Sequence, residues 1–134
     1  MIVMAFEIEE WPANEKVGKA YGFKHHGKFH GVLETKAGSY RGNHVHPNDQ
    51  YTLLLKGRGK YLLHEDGGRR EVDLVEGEVF IAKAGVPHIL VPEEDCFTFE
   101  WWDGNFIDEE VTGLFDDLVE GRVGPKTSDG SIRN

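Results

Sequence analysis

The sequence predicts an all-β domain, two antiparallel sheets closed into a sandwich or barrel, and three observations carry that reading. From Phe29 to Trp102 short apolar, β-favouring runs follow one another: "HGVLET", "QYTLLLK", "GKYLLHE", "REVDLVEG", "EVFIAK", "HILVPE" and "CFTFEWW". Gly, Pro and acidic turn residues separate them. No helical period lies between them, so the crossovers that a parallel sheet requires are missing and antiparallel pairing is left.

Taken in order, residues 1–28 read as an N-terminal arm or edge strand, with "KVGKAYGFKHHGKFHG" its one strand-like stretch. The β domain occupies 29–104. Within it "HEDGGRRE" is the clearest hairpin, because the glycines after Asp66 tolerate the positive φ of a tight connection. After Trp102 the period changes. Ile107, Val111, Leu114, Phe115, Leu118 and Val119 recur at steps of three and four among acidic residues, which predicts an amphipathic helix within 105–121 that ends near Gly121 and covers one face or opening of the β domain. The tail 122–134, "RVGPKTSDGSIRN", has no apolar period and is expected to be mobile. There is no internal repeat and no low-complexity segment.

Composition narrows the function. At 134 residues, 39% hydrophobic and 29% charged, the chain has the make-up of one globular domain. Its net charge of −9, from 15 basic and 24 acidic residues, argues against a nucleic-acid partner, since phosphate contacts need a basic face. No apolar run is long enough to span a bilayer, and the start "MIVMAFEIEEW" carries acids where a secretory signal carries basic residues; a cytoplasmic protein with no membrane partner is the expectation. Cys96 is the single cysteine and sits in an apolar run, which predicts a buried, inert thiol. Both parities of "YTLLLK" and "KYLLHE" are apolar, so a second copy of the chain is expected to cover one sheet face in a homodimer.

The chemistry concentrates in "GSYRGNHVHPNDQ". Residues two apart on a strand share a face, so His44 and His46 project together, and Gln50 joins them if the strand continues without a bulge. Two imidazoles can then approach one ion from a single direction. His88, at the start of another strand after a Gly-Val-Pro turn, is placed to supply a third donor. An isolated His-x-His run also occurs as an ordinary pair of polar strand residues, so the run alone leaves both readings open. His25, His26, His30 and His64 read as surface or hydrogen-bonding residues. In "EWWDG", Glu100 is a candidate general base if it points inward, Trp101 and Trp102 read as core or dimer contacts, Arg41 as a candidate anion partner or a surface ion pair, and Lys83 as a solvent-exposed turn residue.

Two longer patterns carry a resemblance. Gly38, five residues, His44-x-His46, three residues, Gln50, six residues and Gly57 resembles the first cupin motif, with glutamine where glutamate is usual. Gly77, then Lys83-Ala84-Gly85, two residues and His88, resembles the second, with Lys83 where proline is usual and Pro92 where asparagine is. The resemblance implies a small jelly-roll barrel of two antiparallel sheets, open at one end, with His44, His46 and His88 as ligands of one divalent transition metal, Fe, Mn, Ni, Cu or Zn, and Gln50 as a fourth. A neutral amide in place of a carboxylate weakens binding and leaves the ion more Lewis acidic. The substrate implied is a small molecule with neighbouring hydroxyl and carbonyl oxygens, isomerised or attacked by dioxygen.

A finer likeness points elsewhere. "RGNHVH" resembles the run of cupins that act on nucleotide-linked sugars as ketoisomerases or epimerases, in which the paired histidines work as acid and base without a metal and Arg41 would stabilise an oxyanion or phosphate. A third reading is a cupin that binds a small ligand without turning it over.

Overall fold

In the computed structural model the described residues are 1–11 and 14–125; most of the tail expected to be mobile lies outside them. Among the described residues eleven strands form two antiparallel sheets. β1 (Glu9–Glu10), β2 (Ala20–His25), β3 (Lys28–Thr35), β10 (Cys96–Trp102), β5 (Gln50–Lys56) and β8 (Val79–Ala82) lie side by side in that order. The second sheet has the order β11 (Glu109–Glu110), β4 (Arg41–Val45), β9 (His88–Pro92), β6 (Gly59–Glu65) and β7 (Gly68–Asp73). Every pair of these strands is antiparallel. Among the described residues no helix is long and apolar enough to cross a membrane.

The strands fall where the apolar runs predict, because alternation alone buries one face of each. β10 reads buried at Cys96, Thr98, Glu100 and Trp102 and open between them, and it pairs with β3 on one side and β5 on the other. The β6–β7 hairpin turns through Asp66 and Gly67 at φ 53° and 76°, the double positive φ of a two-residue turn that follows the twist of its strands. The interior is filled by Trp11, Phe29, Leu33 and Trp102 at one place and by Leu54, Tyr61, Leu74, Leu90 and Cys96 at another. Burial pushes the Cys96 thiol up to about 11, so it stays protonated and inert.

The C-terminal segment departs from expectation. In place of a helix across 105–121, the structure has one helical turn, α1 (Asp116–Val119), preceded by β11, whose Glu109 and Glu110 pair with Val45 and His44 of β4. An open sheet edge satisfies those backbone groups as a helix would, and Gly113 at φ 85° interrupts any helical run. The burial encoded by the apolar period still occurs. Val111, Leu114, Phe115, Leu118 and Val119 pack on Leu62, Ile89 and Val91, closing the outer face of the second sheet. The outer face of the first sheet is covered only at its β2 edge among the described residues, where Phe6 packs on Phe23 and His25, and Val32, Val79, Ile81 and Phe97 are each more than 40% exposed.

Candidate metal centre

β4 and β9 bring the histidines together. His44 and His88 are direct partners across the two strands. A bulge at Gly42 and Asn43, with φ 88° and 64°, shifts the register just before them. Gly42 has to be glycine: a Cβ there would stand 3.0 Å from the His88 carbonyl oxygen in a backbone conformation that side chains disfavour. Beyond the end of β4, His46 turns to the same side. The donor nitrogens of the three rings lie within 4.8 Å of one another, and all three residues are buried.

Each ring is held from behind through Nδ1. His46 Nδ1–H donates to the Ile107 carbonyl oxygen at 2.7 Å and His88 Nδ1–H to that of Val86 at 3.1 Å. His44 Nδ1 stands 3.3 Å from Asp108 Oδ2, an ion-pair distance without the alignment of a hydrogen bond. With Nδ1 occupied, His46 and His88 each turn an Nε2 lone pair inward, the arrangement that outer partners impose on metal-bound histidines. His44 Nε2 and His88 Nε2 are buried with no hydrogen-bond partner. Burial, then the neighbouring His44, brings His46 down to about 4, against the opposing pull of its Ile107 hydrogen bond and of the nearby Gln50 amide oxygen. Burial, then His44 and His46, holds His88 well below the usual histidine range. Both are neutral at physiological pH, as ligands have to be.

Gln50 reaches the cluster by a different route from the one its parity suggests. β4 ends at Val45 and Gln50 opens β5 in the opposite sheet, so the amide approaches across the interior. Its Oε1 lies 2.9 Å from His46 Nε2, and its Nε2 donates to Thr52 Oγ1 and to the Tyr61 hydroxyl, each at 3.0 Å.

The family model described as a cupin domain matches residues 31–101, more than half of the chain. The chain belongs to the cupin family. Solved structures agree on the fold. An oxalate decarboxylase variant of Bacillus subtilis superposes with a TM-score of 0.68 at 20% identity over 81% of this chain and 32% of its own. Vicilin of hazelnut, Corylus avellana, gives 0.68 at 12% identity over 81% and 34%, and the capsular polysaccharide assembling protein CapF of Staphylococcus aureus 0.66 at 17% over 81% and 32%. This cupin spans about a third of the length of those chains. No curated protein sequence matches it.

The donor set of this cupin fits a metal ion. Three imidazoles whose donor atoms converge, with His44 Nε2 and His88 Nε2 buried and unpartnered, form a site that only a Lewis acid or donor protons would satisfy. Around it Phe106 packs within 5.4 Å of the His46 ring and Trp102 within 5.8 Å, excluding water from one side. A cavity of about 40 Å³ lined by Tyr40, Gly42, Asn43, His44, Asp108 and Glu110 reaches His44, room for water-sized guests.

The other sequence candidates lie apart from the cluster. Arg41, at the far end of β4, is buried. Its Nε donates to Glu34 O and Thr35 Oγ1, and its Nη2 to Gly18 O and Glu34 O, so the guanidinium is neither a surface ion pair nor turned toward the histidines. Burial lowers it to about 10, still a cation at neutral pH, with Glu100 the largest opposing influence. Glu100 does point inward, buried beside Thr98, whose Oγ1 donates to its Oε2 at 3.0 Å. Trp102 belongs to the core, whereas Trp101 stacks on Tyr51 on the outer face. Lys83 is exposed and pairs with Asp49 at 3.7 Å. His25, His26, His30 and His64 stand outside the cluster. Sequence reasoning missed Asp108, Ile107, Tyr61 and Thr52. Of these only Thr52 left a signal, since it shares a strand face with Gln50.

Proposed function

We propose that this cupin holds one divalent transition-metal ion through Nε2 of His44, His46 and His88, with Gln50 as fourth donor, and uses it on a small substrate carrying neighbouring hydroxyl and carbonyl oxygens. The observation that carries the reading is the convergence of three buried donor nitrogens, with His46 and His88 committed through Nδ1 to Ile107 and Val86 and His44 Nδ1 facing Asp108. A bound ion would supply Lewis acidity toward those oxygens. The chain's own part is to fix the rings, keep His46 and His88 neutral, and shield the site with Phe106 and Trp102. Isomerisation and dioxygenation both suit such a site. The metal-free sugar-nucleotide reading needs Arg41 beside the histidines, and the observed commitment of its guanidinium to Gly18, Glu34 and Thr35 supports the metal reading instead. A non-catalytic ligand-binding cupin is the second reading, favoured by the use made of the nearby acids: buried Glu100 accepts from the Thr98 hydroxyl, and Asp108 faces His44 Nδ1.

Elemental analysis of protein purified without chelator tests the metal. Near-stoichiometric metal in the native chain and none in His88→Ala is the expected result; no metal in the native chain, even after incubation with each ion, would overturn the reading.

We also propose that a second copy covers the outer face of the first sheet. From β2 to β8 two adjoining rungs there, Tyr21–Val32–Phe99–Leu53–Val79 and Phe23–His30–Trp101–Tyr51–Ile81, carry no acid, lysine or arginine, and Glu10 of β1, opposite Tyr21, bounds the patch. A dimer in sedimentation equilibrium at micromolar concentration is expected, and a monomer there would sink the assignment.

A further inference from the structure

We propose that Tyr61 and Thr52 are positioning residues that aim the Gln50 carbonyl oxygen into the histidine cluster, making a neutral amide the fourth donor; this inference rests on the metal reading above. The two ends of a carboxamide are nearly equal in size, so shape does not decide which one faces the histidines. Hydrogen bonding does. The amide nitrogen has two hydrogens, and two buried acceptors meet them, Thr52 Oγ1 and the Tyr61 hydroxyl, each at 3.0 Å. The two hydroxyls stand 3.2 Å from each other, so one donates to the other and both keep lone pairs for the amide. That arrangement leaves Oε1 facing His46 Nε2 at 2.9 Å.

The ring proton of His46 is on Nδ1, where Ile107 O accepts it, so Nε2 and Oε1 meet lone pair to lone pair. Two acceptors at that separation repel each other, and a cation shared between them turns the repulsion into attraction. The contact is a pair of donors kept in place for an ion. Thr52 and Tyr61 keep it so from β5 and β6, in opposite sheets, which ties the ligand's orientation to the packing of the whole interior. In the reverse orientation the amide nitrogen would donate to His46 Nε2 and close that ring to metal.

Glutamate separates orientation from packing, because a carboxylate has oxygen at both ends. The experiment is a Co(II) titration of the metal-free native chain, Tyr61→Phe, Gln50→Glu and the double variant, followed by the visible d–d spectrum, with Thr52→Val as a second probe of the same amide. With Gln50 in place, Tyr61→Phe is expected to weaken Co(II) by about tenfold, the usual effect of losing an outer partner. In the Gln50→Glu background the same change is expected to cost about twofold or less, the limit for sites that no longer couple. The spectrum should shift in Tyr61→Phe, whereas the double variant should match Gln50→Glu alone. Equal losses in both backgrounds would reduce Tyr61 to packing and overturn the inference, as would no loss in either. Failure of the native chain to take up Co(II) would overturn the three-histidine reading itself, a result visible before any substitution is made.

Discussion

The two ends of the sandwich interior are equally buried, and they treat their polar groups in opposite ways. At one end Arg41 gives two of its nitrogens to three acceptors, Gly18 O, Glu34 O and Thr35 Oγ1, and Glu100 lies near enough to favour its charge. Only Nη1 lacks an acceptor there. At the other end of the same strand, His44 and its neighbours have protein partners behind the rings, and the Nε2 atoms of His44 and His88 have none in front. A buried polar group that spends its capacity on the chain is architecture. One that withholds a lone pair toward other withheld lone pairs is a site, because leaving it so costs free energy that a ligand returns.

The contrast can be broken from either end. The largest effect is expected at Arg41. Arg41→Met should lower the stability to urea by about 3 kcal/mol or more, since it leaves the Gly18 and Glu34 carbonyls and the Thr35 hydroxyl without their donor and takes a cation from the neighbourhood of buried Glu100. Metal stoichiometry in the fraction that folds should be unchanged; loss of metal with no loss of stability would reverse the roles assigned to the two ends.

A smaller, pH-dependent effect belongs to the histidine end. His46 falls from 6.5 in the unfolded chain to about 4 in the folded one, and His88 is held well below 6.5. Between those values the unfolded chain binds the proton and the folded chain does not, so acid favours unfolding. The stability of metal-free protein to urea is therefore expected to be level with pH above 6.5 as far as these groups act, and to fall from 6.5 toward 4 by about 1.4 kcal/mol per pH unit for each histidine. His46→Gln should flatten part of that slope. A slope unchanged by the substitution would mean that other groups titrate in the window.

Much of this was legible in the chain. Period-two alternation located the strands, since β10 buries Cys96, Thr98, Glu100 and Trp102 on one face whatever its neighbours are. The likeness of the runs around His44, His46 and His88 to the two cupin motifs pointed to the cluster that the fold assembles. The amphipathic period after Ile107 encoded burial and not helix: the same apolar residues cover Leu62, Ile89 and Val91 from a segment that is half extended. Periodicity reports which side chains are buried, and an open sheet edge decides how the backbone between them is satisfied. Gln50 shows the same limit, since its parity with His46 placed it correctly for the wrong reason, the chain having crossed to the opposite sheet between them.

By itself the sequence determined the all-β class and the order of the strands along the chain, because those follow from local alternation, and its likeness to the two cupin motifs pointed to His44, His46 and His88 as one cluster. Only the tertiary structure decided the rest: that Asp108 stands behind His44; which nitrogen of His46 and His88 faces inward, through Ile107 and Val86; which end of the Gln50 amide does, through Thr52 and Tyr61; and that Arg41 serves the scaffold. The physical reason is that a hydrogen bond's partner is fixed by position in space, and these partners include segments as distant along the chain as Asp108 is from His44.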